Sequence, residues 1–474
     1  MATINTVNNP IFWRLKDGER RVILVIGDLI AAFLAMIIAL LLWGNRDWFN
    51  FSTEFLQYRP PVWYYSLPIL WVLLLIELYD IRRASRRKET IIGIAVAGAI
   101  STVFYLFIYF SSPPNSLPRF SVAIYIICSS LITLVWRLLY IKIFNAPRFM
   151  RRVLIVGAGR SGSTLAKVVR DIKPPPFILV GYVDDDPRKV GRSISEAPVI
   201  GKCSELIRIS EKENISNIIL AISGTMEPES FQEIFFAEER GIEVTTMPIM
   251  YEELLGRVPI TLLEADWVLR SFVDYAHASQ FYELVKRFID VCGSLIGLII
   301  LIILFPLISV TIFLDTGFPL FYTQNRLGKN GRMYRILKFR TMKQDAEKDG
   351  KARPAEKNDE RITRVGNVLR KSHLDEFPQF LNILNGDMSI VGPRAERLEL
   401  VEQLQNNVPF YRARLLAKPG LTGWAQINFG YAATVGDTAV KLEYDLFYIK
   451  HRNIVMDITI MLRTVGQVFG LRGQ

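Results

Sequence analysis

Two carboxylates stand side by side at Asp375 and Glu376, just ahead of an apolar run through Leu381, Ile383 and Leu384 that reads as a short helix. Neighbours on a helix diverge by about 100°, so the two groups can take different jobs. Set in a segment dense in basic residues, the pair suits phosphate-ester chemistry, with one carboxylate attacking phosphorus while the other holds Mg²⁺. The macrodipole of the following helix is expected to help keep Asp375 ionised. Arg326, Lys338, Arg340 and Arg394 are the candidate substrate contacts, since guanidinium groups offer bidentate hydrogen bonds to phosphoryl oxygens. They sit in turn-rich stretches: Gln324–Gly331 leading to Lys338–Met342, Arg361–Gly366 ahead of Leu374–Gln379, Gly386–Arg394, and Lys418–Gln426. An Asp-Glu pair before a helix is, taken alone, commonly a cap. Its company gives it chemical weight.

A second motif lies earlier. Gly157-Ala158-Gly159-Arg160-Ser161-Gly162 follows an apolar strand, Val153–Val156, and opens a helix, the context a dinucleotide fingerprint requires. Gly157, Gly159 and Gly162 would let backbone N–H groups approach a pyrophosphate. Phe177–Val183 reads as the next strand and ends at Asp184, the candidate for a ribose hydroxyl. That residue lies 27 positions after Gly157, beyond the usual spacing of about 20. Ile218–Ile222 and Glu243–Thr246 continue the strand series. The segment ends near residue 275, little more than one nucleotide-binding half, and the Tyr-x-x-x-Lys spacings Tyr282–Lys286 and Tyr334–Lys338 fall outside it. It is therefore read as a regulatory or structural module, with a bound nucleotide or nucleotide-sugar left open, rather than as a redox centre.

These motifs must be positioned by a chain of 474 residues, half of them apolar, with a mean hydropathy of +0.24. That disfavours a plain cytosolic enzyme, while 22% charged residues exclude a chain embedded throughout. The formal charge of +11 suits contact with anionic lipid or phosphates. Cys128, Cys203 and Cys292 are isolated and His277, His373 and His451 scattered, which argues against disulfides, thiolate zinc and His-Glu-x-x-His sites. A metal here is expected to be oxygen-bound, as Mg²⁺ is.

Val22–Trp43, Val62–Tyr79, Thr90–Phe110 and Phe120–Trp136 each approach or exceed the roughly 17 to 25 residues that cross a bilayer. Asp28 in the first is either a functional group or a carboxyl satisfied between helices. Arg14, Lys16, Arg20 and Arg21, then Arg82–Lys88, then Arg137, Lys142, Arg148, Arg151 and Arg152 place alternate ends on the cytoplasmic side. A fifth apolar run, Val291–Leu314, has basic flanks at both ends and Pro306 within it. A re-entrant element that dips into the membrane and exits on its side of entry reconciles the two. The expected architecture is a four-helix transmembrane region (1–145), an α/β Rossmann-like domain (150–275) and an α/β monotopic catalytic domain (281–474) with a re-entrant helix over 286–314. Ile454–Phe469 reads either as an amphipathic helix on the bilayer or as core packing, and Trp424 as a base-stacking or a buried aromatic.

From about Phe281 onward the sequence resembles the bacterial sugar transferase family, the polyprenyl-phosphate hexose-1-phosphate transferases. Lys286-Arg287 with Asp290, the apolar hairpin with Pro306, Lys338–Met342, Leu374–Gln379, Gly386–Arg394 and Lys418–Gln426 carry the likeness in order. With its leading helices and Rossmann-like insert the chain looks like the large form, similar to undecaprenyl-phosphate glucose phosphotransferases. The resemblance implies transfer of a sugar-1-phosphate from a UDP-sugar to undecaprenyl phosphate with release of UMP, initiating exopolysaccharide, capsule or O-antigen synthesis. It makes Asp375 the nucleophile of an aspartyl-phosphosugar intermediate, Glu376 the Mg²⁺-associated partner, and Lys338, Arg340 and Arg394 the phosphate or uridine contacts. It implies a multi-pass protein of the bacterial inner membrane with its catalytic domain on the cytoplasmic face. The partners expected are UDP-sugar, undecaprenyl phosphate and membrane lipid, but no nucleic acid, with a homodimer left open.

This sequence has His373-Leu374 before the acidic pair, Ala395 after Pro393-Arg394, and Asn428-Phe429-Gly430-Tyr431 after the tryptophan motif, where the family commonly has Ser-Leu, Pro and Asn-Gly-Arg. The sugar is left open. The competing readings are a membrane-anchored nucleotide-sugar dehydratase or epimerase, resting on the glycine-rich loop, and a non-enzymatic polysaccharide assembly protein.

Overall fold

A computed structural model describes residues 17–79, 81–111, 119–144, 150–222, 226–262, 279–343, 359, 361–430 and 434–468. Expectations resting on Arg14, Lys16, Arg148, His277 and Tyr431 fall outside them. The chain divides into two compact units, Met1–Met247 and Pro248–Gln474.

In the first unit, α1 (Asp17–Gly44), α2 (Arg87–Ser111) and α3 (Arg119–Phe144) are long and apolar enough to cross a membrane. Their outward faces carry Ile26, Ile30, Phe33, Val103, Phe107, Ile127 and Leu131, while Ser121, Ser129, Thr133, Asp28 and Arg137 are buried. Apolar outside and polar inside is the arrangement lipid favours. Gly27 admits the Trp136 ring, which a Cβ there would meet at 2.1 Å.

The segment Val62–Tyr79 departs from the expected single helix. It is a 3₁₀ turn (Val62–Ser66), an eight-residue helix (Leu67–Leu74) and a second 3₁₀ turn (Ile76–Tyr79). Pro61 and Pro68 supply no N–H and stand at the starts of the first turn and of the short helix, and side chains of α3 bond to the segment. The Tyr64 hydroxyl meets Ser121 Oγ at 2.5 Å, Trp71 Nε1 donates to Thr133 Oγ1 at 3.1 Å, and Arg137 Nη1 donates to the Leu78 carbonyl at 2.7 Å. Arg137 also answers the question of Asp28. Its Nε and Nη2 donate to Asp28 Oδ1 and Oδ2 at 3.1 and 2.5 Å, and both side chains are fully buried. Asp28 is a satisfied internal carboxylate.

The same unit continues as a six-stranded sheet of order β3-β4-β2-β1-β5-β6. These are β1 (Arg152–Val156), β2 (Ile178–Val183), β3 (Ser193–Ile194), β4 (Ala197–Gly201), β5 (Asn217–Leu220) and β6 (Glu243–Thr246). All pairings are parallel except β3 with β4. The continuous apolar strands form the buried layer parallel sheets require, and the α/β expectation is met as a mixed sheet with helices. Gly157 turns at φ +103°, and a Cβ on Gly162 would lie 2.1 Å from the Gly157 carbonyl oxygen, so the helix α4 (Arg160–Asp171) packs directly on its loop.

In the second unit a 37-residue helix, α5 (Gln280–Thr316), runs unbroken through Pro306. Ser279 caps its start by accepting from Tyr282 N, and Gly317 ends it at φ +70°. It is fastened to the rest of the unit at both ends. Asp290 Oδ1 accepts from Ser389 Oγ and Ile390 N, each at 2.9 Å, and Asp315 Oδ2 accepts from Val365 N at 3.1 Å. Between these points Gly293 lies against Ile390 and Gly297 against the Phe380 ring. Leu301, Ile308 and Ile312 are buried with Phe339 and Leu369. Its other face, Ile296, Ile299, Ile302, Ile303, Leu307, Val310 and Leu314, is exposed.

The unit's strands form two small ladders, among the described residues. The hairpin β7 (Phe321–Leu327) with β8 (Met333–Phe339) is antiparallel and turns through Asn330 and Gly331 at positive φ. β9 (Ser389–Val391) pairs in parallel with β10 (Gly420–Thr422). There the backbones of Gly392 and Gly420 touch, for a Cβ on Gly420 would stand 2.1 Å from Gly392 N. This contact joins the Gly386–Arg394 stretch to Lys418–Gln426. Helices α6 (Arg364–Lys371), α7 (Gln379–Asn385), α8 (Val435–His451) and α9 (Ile454–Val468) are among its other elements. In α9 the polar residues Asp457 and Arg463 are buried while Val455, Ile458, Leu462 and Val465 are exposed. The helix packs through Asp457, Ile460 and Arg463 and presents an apolar stripe outward.

Replacing Arg137 with Leu leaves Asp28 buried and unpaired, which costs about 3–5 kcal/mol. The double variant Asp28→Leu/Arg137→Leu is expected to recover most of that loss. Thermal unfolding of the solubilised full chain checks this, and equal midpoints for the single and double variants would overturn it.

Candidate active site

Asp375 and Glu376 occupy a 3₁₀ turn, Leu374–Glu376, between α6 and α7. His373 enters it in the left-handed region at φ +57°, a conformation costly for a residue with a Cβ and one that recurs at functional sites. The turn lies against β8, where Lys338 projects from the strand's last residues. Asn382 fastens α7 to the same strand, accepting from Leu337 N at 3.0 Å and donating to the Arg335 carbonyl at 2.8 Å. Arg287 donates to the Ile383 and Leu384 carbonyls at 2.7 and 2.6 Å, closing the C-terminal end of α7.

The two carboxylates have opposite surroundings. Glu376 Oε1 accepts from Lys338 Nζ at 2.6 Å and from Arg394 Nη2 at 3.0 Å. Burial opposes its charge, but the Arg394 and Lys338 cations override that and hold the carboxyl well below the usual range. Burial pulls the Lys338 ammonium down against Glu376's support, and Glu376 pushes Arg394 up. Asp375 is buried, and neither of its oxygens has a hydrogen-bond partner among the described residues. Burial first and the Glu376 charge second push its carboxyl above the usual range, with Lys338 and Arg370 pulling the other way. The expectation that a helix dipole keeps Asp375 ionised is overruled. Desolvation and the neighbouring anion dominate. The result is one carboxylate anionic and clamped, the other buried with unengaged oxygens and easier to protonate, the environment-driven separation that marks divided roles.

Of the candidate substrate contacts, Lys338 and Arg394 are brought onto the acidic pair; the other two are not seen to touch it. Arg340 is buried, its Nε donating to the Met342 carbonyl at 3.1 Å and its Nη1 to the Phe318 carbonyl at 3.2 Å, so it braces the entry and exit of the hairpin. Arg326 Nη1 donates to the Ala395 carbonyl at 3.3 Å, and burial pushes its guanidinium down. It supports the Pro393-Arg394-Ala395 loop from beneath. Arg414 does so from the side, bonding the Arg394 carbonyl at 3.0 Å and Asp445 Oδ2 at 2.9 Å. Arg414, Asn382 and Arg370 escaped the sequence reading. Only Asn382, a polar residue inside the apolar run Leu381–Leu384, left a visible signal.

For Mg²⁺, the Asp375 oxygens and Glu376 Oε2 carry no hydrogen bond among the described residues. Two adjacent carboxylates of this kind fit the way Mg²⁺ is held together with phosphate oxygens and water. No cluster of three or more acidic, His or Cys ligands occurs among the described residues.

In the first unit Asp184 is occupied by its own loop. Its Oδ2 accepts from Ala158 N at 2.7 Å and from Lys189 Nζ at 2.9 Å, and Oδ1 from Asp186 N at 3.0 Å. An N–H of the glycine-rich loop is thus already satisfied by the carboxylate expected to meet a ribose. Gly157, Gly159 and Gly162 form the loop as expected, beside the C-terminal ends of β1 and β5. Trp424 proves structural, stacking on Phe447 and donating Nε1 to the Gly256 carbonyl at 2.8 Å.

The profile describing bacterial sugar transferases matches residues 281–471, and one describing a CoA-binding domain matches residues 74–230. The UDP-N-acetylgalactosamine-undecaprenyl-phosphate N-acetylgalactosaminephosphotransferase of Aeromonas hydrophila is 41% identical over 224 residues, 47% of this chain and 52% of that protein. The undecaprenyl-phosphate glucose phosphotransferase of Komagataeibacter xylinus is 30% identical over 333 residues, 67% of this chain and 59% of its own length. The UDP-glucose:undecaprenyl-phosphate glucose-1-phosphate transferase of Escherichia coli (strain K12) is 39% identical over 330 residues, 67% and 68% of the two chains. The chain thus spans little more than half the length of the first two of these relatives.

Proposed function

The chain belongs to the bacterial sugar transferase family, and from that premise we propose that it transfers a sugar-1-phosphate from a UDP-sugar to undecaprenyl phosphate at the cytoplasmic face of the inner membrane. One observation carries the reading: a buried carboxylate with unengaged oxygens, Asp375, stands beside a carboxylate clamped by two cations. Asp375 attacks the sugar-bearing phosphorus of the donor. A bond forms from its Oδ to phosphorus as the bond to the uridylyl phosphate oxygen breaks, and UMP leaves with that electron pair. An oxygen of the lipid phosphate then attacks the same phosphorus, the bond to Asp375 breaks, and the carboxylate is restored as the lipid-linked diphosphosugar departs. Arg394 and Lys338 are placed to meet the negative charge on the transferring group and on UMP, a loose transfer that needs positioning and charge more than covalent help. Glu376, whose Oε2 carries no hydrogen bond among the described residues, would hold Mg²⁺, which when bound would supply charge neutralisation at the pyrophosphate.

The membrane seating is part of the proposal. Both Asp290 and Asp315 of α5 bind the same unit, and the helix rests on that unit along its length with its outer face apolar. These facts support a re-entrant element, since one unit holds both ends of the apolar run. The outward apolar stripe of α9 supports the same seating. The glycine-rich domain is read as a structural or regulatory module, because the carboxylate a ribose would need is engaged with the loop itself.

Asp375→Asn is expected to cut polyprenyl-phosphate-dependent UMP release by more than about a thousandfold with folding intact; a near wild-type rate removes Asp375 from the nucleophile role. The attacking carboxylate must be ionised, so activity fades as pH falls through its raised pKa. Glu376→Gln removes the neighbouring anion, lowers that pKa, and is expected to move the acid limb of kcat/KM to lower pH while reducing its height. A limb that stays or moves up contradicts the assignment. Asn367, exposed on α6 downstream of α5, tests the seating. In a variant lacking the native cysteines, Asn367→Cys is expected to resist impermeant maleimide on intact cells, and efficient labelling would show that α5 spans.

A further inference from the structure

A second basic cleft lies in the same unit, at the other end of α7 from the catalytic pair. Glu283, Lys286, Arg287 and Asp290 of α5 line one wall, and Lys329, Lys418 and Arg452 close it, so five cations face two carboxylates. Most of these charges have partners. Lys286 Nζ donates to Asp457 Oδ2 at 2.8 Å and to the Tyr448 hydroxyl at 3.0 Å. Lys329 stands 3.5 Å from Glu283 and Arg452 4.0 Å from the same carboxylate, while Asp290 is held by Ser389 and Ile390. Arg287 spends its donors on the Ile383 and Leu384 carbonyls, which leaves its positive charge uncancelled by any carboxylate at those contacts.

Lys418 is different. Its ammonium has no hydrogen bond or ion pair among the described residues, although it is only partly exposed and lies, like the Arg287 guanidinium, beside Gly386. Burial and the Arg287 charge push it below the ordinary lysine value, with Asp290 and Glu283 opposing only in part. A lysine held near a fixed guanidinium without an anion is an electrostatic debt that an incoming anion relieves. The cleft is separated from Glu376 by the length of α7, about 10 Å of helix. The same turns of α5 that line it also present Phe281, Leu284 and Phe288 outward, all strongly exposed. Basic groups flanked by outward apolar side chains match a lipid whose charge sits at the headgroup and whose chain lies alongside.

We propose that this cleft is a phosphate site separate from the catalytic pair, taking the headgroup phosphate of a membrane lipid between Lys418, Arg287 and Lys329. It rests on the membrane seating argued above. The ligand chemistry is a phosphate ester on an apolar chain, and two lipids provide it: the prenyl phosphate acceptor itself and an anionic phospholipid.

The test uses the detergent-solubilised full chain titrated separately with a short-chain prenyl phosphate, with phosphatidylglycerol and with inorganic phosphate, so that binding is read without turnover. Lys418→Gln is expected to weaken at least one lipid phosphate by about tenfold, with Lys418→Arg near wild type and UDP-sugar affinity unchanged. Weakening confined to prenyl phosphate makes the site an acceptor subsite, and weakening confined to phosphatidylglycerol makes it an anchoring site. Loss of inorganic phosphate binding alone, or of UDP-sugar binding, overturns the proposal, as does unchanged binding of all three probes by a variant with a wild-type melting point. Should Lys418→Gln unfold, Lys329→Gln gives the same readout from the exposed side of the cleft. Failure of the transferase reading would appear instead as absent UMP release in the wild type, which leaves these affinities interpretable.

Discussion

The catalytic region depends on one carboxylate staying charged where water is scarce. Glu376 does so because Lys338 and Arg394 converge on a single oxygen from different parts of the chain, a strand and the loop after β9. Each cation needs its own support. Lys338 rides on a hairpin strand sewn to α7 by Asn382, and Arg394 leaves a loop whose carbonyls are taken by Arg326, Arg414 and Gly420 N. Asp445 neutralises Arg414 in turn. Removing any layer would loosen the clamp, and with it the field that separates Asp375 from its neighbour. Asp375 receives no such compensation, and the contrast between the two residues is a property of the whole supporting shell.

A second constraint sets where that shell sits. In α1, α2 and α3 of the first unit and in α5 and α9 of the second, large apolar side chains cover the outer faces while a few polar ones are buried among apolar neighbours. Water would penalise this arrangement and hydrocarbon rewards it. The buried charges are affordable only because each is matched: Asp28 by Arg137, Asp457 by Lys286 with Tyr282 and Tyr448 hydroxyls. In α5 the anchoring contacts occur at Asp290 near one end and Asp315 at the other, so a single domain holds both ends of the apolar run.

Much of this was readable in the residues alone. Long apolar runs, the strand–glycine–helix sequence and the order of the catalytic stretches all depend on local patterns, and local patterns survive folding. What escaped depended on partners distant in sequence. Nothing near Asp28 announces Arg137, 109 positions away. Asp184 looked available because its acceptors faced a loop whose amide would claim one of them. Arg340 carries the same charge as Lys338 two residues before it, yet it lies just past the end of β8 at Phe339, where its guanidinium takes the backbone carbonyls of Met342 and Phe318 and not the acidic pair. In Val62–Tyr79 the proline at the start of the short helix is visible in the sequence, whereas Arg137, which bonds the Leu78 carbonyl from α3, is not.

The boundary of the catalytic unit shows the same difference between pattern and packing. The family likeness begins at residue 281, but the compact unit begins at Pro248. The preceding segment is built into its core. Val258 and Ile260 are buried with Leu442 and Leu446, Gly256 accepts the Trp424 indole, and Glu252 holds Lys450 at 2.9 Å and His451 at 2.8 Å. Arg257 approaches buried Glu443 at 3.4 Å. Burial pushes that carboxyl up to about 7, and Arg257 is the charge that opposes the rise. A chain begun at 281 would therefore lose the cation beside Glu443, the acceptor above Trp424 and the apolar floor beneath α8 together. The transferase fold of this protein starts some thirty residues before its recognisable motifs, because side chains that carry no chemistry complete the core on which the chemistry stands.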